Sequence, residues 1–178
     1  MNESTNILIA GYGGQGILFS GKVIAYAGLI DDKEVSWLPS YGPEMRGGSA
    51  NCTICLSREP IASPYIQYPD YFVAMNQLAF NKFISTVEQG GMAIYDSAII
   101  SGETDRKDLR IFAIDAVTIA EENDLKGLAN MVMTGKLFKE LPFCSYAALE
   151  KAVEKCVPAG RTQLVDMNIK AIQLGIEH

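Results

Sequence analysis

Two short segments of the 178-residue chain combine residue types that suit binding chemistry. The first is Gly11-Tyr12-Gly13-Gly14-Gln15-Gly16, a G-x-G-x-x-G pattern placed between an apolar run, Asn6 to Ala10, and a helical pattern from about Gln15 to Ile30. In that position the pattern has a mechanism: Gly11 permits a tight turn, Gly13 removes a Cβ where backbone approaches a phosphate, and Gly16 lets the helix pack closely on the sheet. The helix start adds unpaired N–H groups and a partial positive charge, which favour an anion. The second segment is Ser40-Tyr41-Gly42-Pro43-Glu44-Met45-Arg46-Gly47-Gly48. Here Gly42-Pro43 shapes a turn, and Gly47-Gly48 allows close backbone approach or a hinge. Arg46 can fork onto a phosphate or carboxylate, Glu44 can pair with Arg46 or with a partner's base, and Tyr41 and Met45 offer apolar contact.

Both segments also have plainer readings. The glycines of the first serve a strand-to-helix turn even with no ligand, and the second can be a solvated loop with a self-contained Glu44–Arg46 pair. Against an intact nicotinamide or flavin nucleotide stands a missing acid. The carboxylate that holds a ribose hydroxyl should close the second strand, yet that run ends in Trp37-Leu38, and Asp31 and Asp32 come before it, in the preceding turn.

Hydrophobic residues make up 48% of the chain, mean hydropathy is +0.10, and the net charge is −6 with no clustered Lys or Arg. The charge balance argues against a nucleic-acid groove, and the apolar excess fits either a well-filled core or, as the favoured expectation, surface buried against another subunit. The cysteines lie at 52, 55, 144 and 156, and the one histidine is His178. Cys52-x-x-Cys55 falls inside SANCTICLS, an alternating strand-like run, so the pair reads as strand core rather than as metal ligands. No run is long enough to span a membrane, and the start lacks the basic and apolar regions of a signal peptide. The expectation is a cytoplasmic protein with reduced thiols, no resident metal and no catalytic acid/base pair of its own.

The elements that must position these segments follow from periodicity. Strands are predicted at Asn6–Ala10, in KEVSWL, in SANCTICLS, in YFVAMN, in MAIYD and in RIFAID. Helices are predicted at Gln15–Ile30, over Gln77–Val87, and in three runs from about Leu125 to the C-terminus. The proline-rich REPIASPYIQYP should be irregular. Strands alternating with helices predict one α/β domain over 1–178: a mainly parallel, Rossmann-like sheet with helices on both faces and a helical C-terminal part. If the first two strands are parallel neighbours, the loops after them share one rim of the sheet, where open α/β sheets bind ligands. The late helices either cover that sheet or supply the apolar surface for a partner.

The succession of motifs resembles a known family. GYGGQG, then SYGPEMRGGSA, then Ser57, Pro60, Ile61, Ser63 and Pro64, then Pro69, Asp70, Ala74, Gln77 and Ala79 are similar, in order, to the gamma subunit of 2-oxoacid:ferredoxin (acceptor) oxidoreductases. The resemblance covers essentially the whole chain. It implies a multisubunit enzyme that converts a 2-oxoacid and coenzyme A to acyl-CoA and carbon dioxide and passes electrons to ferredoxin. It also implies alpha, beta and ferredoxin-like delta partners, with thiamine diphosphate and Fe–S clusters on those chains. The chain itself would hold no cofactor beyond a contact to coenzyme A, or would serve docking alone. SYGPE-x-RGG looks most like the 2-oxoglutarate type, with branched-chain and indolepyruvate types similar. A free-standing nucleotide-binding protein and a non-catalytic scaffold remain the alternatives.

Overall fold

A computed structural model describes residues 4–40 and 49–178. Tyr41 to Gly48, which carry Glu44, Arg46 and the Gly47-Gly48 pair, lie outside the described residues. Six strands form one sheet: β1 (Ser4–Tyr12), β2 (Glu34–Ser40), β3 (Ser49–Ser57), β4 (Tyr71–Ala74), β5 (Met92–Asp96) and β6 (Arg110–Ile114). Their order is β2-β3-β1-β4-β5-β6. β1, β4, β5 and β6 pair in parallel, while β3 runs antiparallel to both its neighbours, β1 and β2. The sheet is mostly parallel, as the alternating pattern predicted. β1 and β2, however, are not neighbours, because β3 lies between them. A strand that enters by a short loop from β2 pairs most simply as a hairpin partner, and the sequence does not state which edge it will take.

Helices cover the sheet unequally. On the first face α1 (Ile17–Ile30) and α4 (Ala129–Glu140) join one large core with β-strand residues such as Ile7, Ile9, Ile54 and Ile94. α5 (Tyr146–Cys156) packs outside α1, and α6 (Thr162–Glu177) packs outside α4. α1 is therefore buried nearly all round, which explains why its apolar residues form no narrow stripe. Of the late helices, α4 lies against the sheet, and α5 and α6 form a second layer over α1 and α4. On the second face, α2 (Gln77–Phe83) and a 3-10 turn at Ile84–Thr86 form a smaller core with Leu8, Phe72, Ala74 and Ala93. The expected helix to Val87 is thus shorter, and a further short helix, α3 (Ala116–Glu122), went unread in sequence. Its Asp115 cap accepts from Thr118 N–H, a local signal that a four-residue apolar pattern does not reveal.

The α4–α6 crossing brings backbones together. A Cβ at Gly135 would lie 2.0 Å from the Ile172 carbonyl oxygen, and one at Gly175 would lie 1.9 Å from that of Val132. Each clash is with backbone, which cannot swing aside as a side chain can. Asp31, in the turn before β2, likewise serves structure: it accepts from Ser145 N–H at 2.5 Å and from the Ser145 hydroxyl at 2.7 Å. The Ser145 oxygen in turn accepts from Ala148 N–H and caps α5. That carboxylate is held below its ordinary range chiefly by the Ser145 hydroxyl.

Asp96 ends β5, fully buried, with Oδ1 accepting from Ala98 N–H and Ala116 N–H at 3.1 Å each. Burial pushes its carboxyl above the ordinary carboxylate range, against the pull of the Ala98, Val117 and Ala116 N–H groups. The folded state therefore keeps a proton that the unfolded chain releases, and stability falls as pH rises from the ordinary value through the raised one. Asp96→Asn retains the acceptor and removes the charge. Its stability relative to wild type should rise between pH 4 and pH 7 in urea titrations, and a pH-independent difference would refute this reading. Gly175→Ala should cost about 3 kcal/mol in the same titration, at the upper end of overpacking penalties.

Candidate functional site: the C-terminal rim of the sheet

β1 runs out to Tyr12, Gly13 and Gly14 turn, and α1 begins after Gly16. Gly16 has φ +76°, and Gly14 has φ +94° with open space where a Cβ would stand. Two of the assigned glycine roles change. Gly11 is extended within β1 rather than at the turn; a Cβ there would meet Gln15 Oε1 at 2.6 Å and Ile17 Cδ1 at 2.7 Å. Gly16 makes room not for the sheet but for Asn130 at the start of α4, whose Nδ2 would lie 2.4 Å from a Cβ. Close helix-to-sheet packing falls instead to Gly21, which faces Cys52 and Trp37, and Gly28, which faces Leu56 and Val35.

Gln15 acts across the loop. Its Oε1 accepts from Tyr12 N–H at 2.6 Å and from Asn76 Nδ2 at 3.4 Å, while its Nε2 donates to the Met75 carbonyl at 2.7 Å. The amide thus joins the ends of β1 and β4. Those two strands are the place where connections part to opposite faces, α1 to the first and α2 to the second. Ligands of open α/β sheets commonly enter at such a point. Here a side chain of the protein occupies it, so the amide expected to contact a ligand is committed internally. Gly16 provides no side-chain cap, which leaves first-turn N–H groups of α1 for another acceptor.

Sequence reasoning missed Asn130. It is 4% exposed, and its Nδ2 donates to the Gly16 carbonyl and to Ser20 Oγ at 3.2 and 3.0 Å. An amide within the otherwise apolar start of α4 was the available signal. Gln77 makes a second link, accepting Ser101 N–H at 2.8 Å and so tying the start of α2 to the segment after β5.

The second predicted segment can be placed only by its ends. Ser40 pairs with Asn51 and Ser49 pairs with Tyr12, so both anchors lie at the rim that carries the glycine loop. The shared rim survives, although β3 intervenes, because β1 and β2 both run opposite to β3. Glu44 and Arg46 themselves are outside the described residues. Beside this rim, on the second face, a cleft of about 490 Å³ is lined by Leu8, Leu38, Thr53, Ile66 and Phe83 among others. α2 leaves that half of the face to the irregular segment after β3.

The four cysteines are free and buried. Cys52 and Cys55 lie in β3 as the alternation implied, and a spacing of three sends their side chains to opposite faces of the sheet. Cys52 faces α1, and burial pushes its thiol up to about 12; Cys55 lines a separate cleft at the far end of the sheet. Two thiols so divided cannot share one ion. No group of three or more potential metal ligands occurs among the described residues, and none of their helices is long and apolar enough to cross a membrane.

This architecture is shared with known proteins. The family model for pyruvate ferredoxin/flavodoxin oxidoreductase matches residues 6–178, and the chain belongs to that family. It is 35% identical to the 2-oxoglutarate synthase subunit KorC of Methanocaldococcus jannaschii, over 96% of this chain and 91% of that one. It is also 35% identical to the ketoisovalerate oxidoreductase subunit VorA of Methanothermobacter thermautotrophicus, over 96% of this chain. The chain spans only 35% of that relative's length. Among solved structures, the gamma subunit of a keto/oxoacid ferredoxin oxidoreductase from Geobacter sulfurreducens superposes with a TM-score of 0.84 at 28% identity, covering 97% of this chain and 96% of that one. The resemblance to gamma subunits read from the motifs therefore stands, as does the predicted fold class.

If Gln15 fastens the rim, Gln15→Leu should leave the Tyr12 N–H and the Met75 carbonyl without this partner. A loss of about 1–2 kcal/mol is expected, read as a lower midpoint in urea. An unchanged midpoint would show that water replaces the amide at no cost.

Proposed function

We propose that this chain is the gamma subunit of a multisubunit 2-oxoglutarate:ferredoxin oxidoreductase. One observation carries the choice of substrate: the chain is 35% identical to each of two chains named 2-oxoglutarate synthase subunit KorC, against 28% to a pyruvate synthase subunit PorC. The ketoisovalerate relatives are 35% and 32% identical, and the resemblance of SYGPEMRGG to the 2-oxoglutarate type inclines the choice to that substrate. Oxidation of a branched-chain 2-oxoacid is the second reading, supported by that equal identity.

On this reading the complex oxidatively decarboxylates 2-oxoglutarate with coenzyme A and passes electrons to ferredoxin in the cytoplasm. Thiamine diphosphate and the Fe–S clusters belong to the alpha, beta and ferredoxin-like delta chains, and this chain contributes docking surface rather than a catalytic residue. Gly11, Gly13, Gly14 and Gly16 shape one half of the contact, Gln15 braces it, and Ser40, Tyr41, Gly42, Glu44, Arg46, Gly47 and Gly48 form the other. A contact to coenzyme A would use backbone N–H groups and the Arg46 guanidinium. The committed Gln15 amide and the absent ribose-binding acid both weigh against a free-standing NAD or flavin protein.

Arg46→Ala separates these roles. Loss of a charge-assisted contact should weaken assembly with the alpha and beta chains, or affinity for coenzyme A, by about 1.5–3 kcal/mol. Co-purification reads the first and titration calorimetry of the assembled complex with coenzyme A reads the second. Unchanged assembly and unchanged coenzyme A affinity would leave both loops as scaffold. Turnover with 2-oxoglutarate, 2-oxoisovalerate and pyruvate then tests the substrate, and preference for either of the last two would overturn the 2-oxoglutarate reading.

A further inference from the structure

The rim carries a feature that neither loop explains. From Ser4 to Gly21 the chain has no charged residue, and the same holds for Tyr71 to Asn81 and for Ser97 to Gly102. These three segments include the C-terminal ends of β1 and β4 and the connection that leaves β5, adjacent strands of the sheet. Three large apolar side chains stand exposed on them: Tyr12 at 42%, Leu78 at 51% and Ile99 at 46%. The opposite rim differs in charge, for Arg58 and Glu59 follow β3, Asp70 precedes β4 and Arg110 opens β6, although Tyr65 and Tyr68 stand exposed there.

The three uncharged segments are also braced. Gln15 joins the segment after β1 to that after β4, and Gln77 joins the start of α2 to the segment after β5. Neutral amides do this without placing a charge at the surface. A surface that is apolar, depleted of charge and already ordered has the character of an interface core, because little desolvation or ordering cost opposes association. Nucleic acid and phosphate-rich surfaces would find no cation on these segments.

The longer relatives point to an occupant. The same unit forms 35% and 36% of the two ketoisovalerate chains, so in them it is joined covalently to further polypeptide. That tether keeps the unit at high local concentration beside the rest of the chain, whose counterpart is the occupant an apolar, uncharged surface suits. We infer that the Tyr12–Leu78–Ile99 rim is the surface on which this chain seats the subunit corresponding to the remainder of the longer ketoisovalerate chain. The inference rests on the subunit reading above and extends it beyond the two loops, to the start of α2 and the segment after β5.

The test is co-expression of the full chain with the subunit homologous to that remainder. Leu78→Glu/Ile99→Glu should reduce recovery of the complex at least about tenfold. Leu29→Glu, at the far end of α1 and 52% exposed, should remain within about twofold of wild type. Hydrogen exchange on the wild-type complex supplies a readout that no folding defect can imitate: 12–16 and 97–102 should gain protection on assembly. Full recovery of the double variant, protection confined to the Arg58–Asp70 side, or loss only of a dimer of this chain would each overturn the rim assignment while leaving the subunit reading intact. Failure of the wild-type chain to associate would overturn both.

Discussion

The rim depends on a single commitment: the Gln15 amide faces inward, to Tyr12 and Met75, instead of outward to solvent or ligand. That side chain lies where the β1 and β4 connections diverge and ties the turn to Met75 from within. The exposed groups of the turn are backbone and Tyr12. Such a turn is suited to meeting another surface.

Around that point the two faces of the sheet have different tasks. The first face is closed by two layers of helices, and the glycines at the α4–α6 crossing allow backbone to touch backbone there. The second face is closed only over β4 and β5 and part of β1, by α2 and its 3-10 extension. The half over β2 and β3 keeps Leu38 exposed beside a cleft. The apolar excess in the composition is thus divided. Most of it lies in the large helical core, and a smaller share stands at the surface, along the rim and beside that cleft. Exposed Tyr12 and Leu78 on ordered, uncharged segments give that part of the rim the character of a contact surface.

Strand and helix positions were legible because each run carried its own period: alternation in SANCTICLS, continuous apolar runs in the parallel strands, and amphipathic repeats in α5 and α6. The glycine loop was legible because its pattern sat between a strand and a helix. Its residue roles were less so. Gly11 and Gly16 were assigned by position in a motif, but their real neighbours, Gln15 and Asn130, are respectively four residues and more than a hundred residues away. Asp31 and Asp32 were correctly placed in the turn before β2, yet the partner of Asp31, Ser145, could not be read from local spacing.

By itself the sequence determined the class of fold, the six strands and most of the helices, the family through an ordered series of motifs, and the absence of charge along three separate segments. Those properties are local, set by side-chain type and by spacing of a few residues. Only the tertiary structure decided that β3 enters antiparallel between β1 and β2, that Gln15 closes the switch point, and that the three uncharged segments lie side by side. Strand order and amide partners depend on which non-local pairings bury the most surface at the least cost in unpaired polar groups, a sum over the whole chain that no single stretch contains.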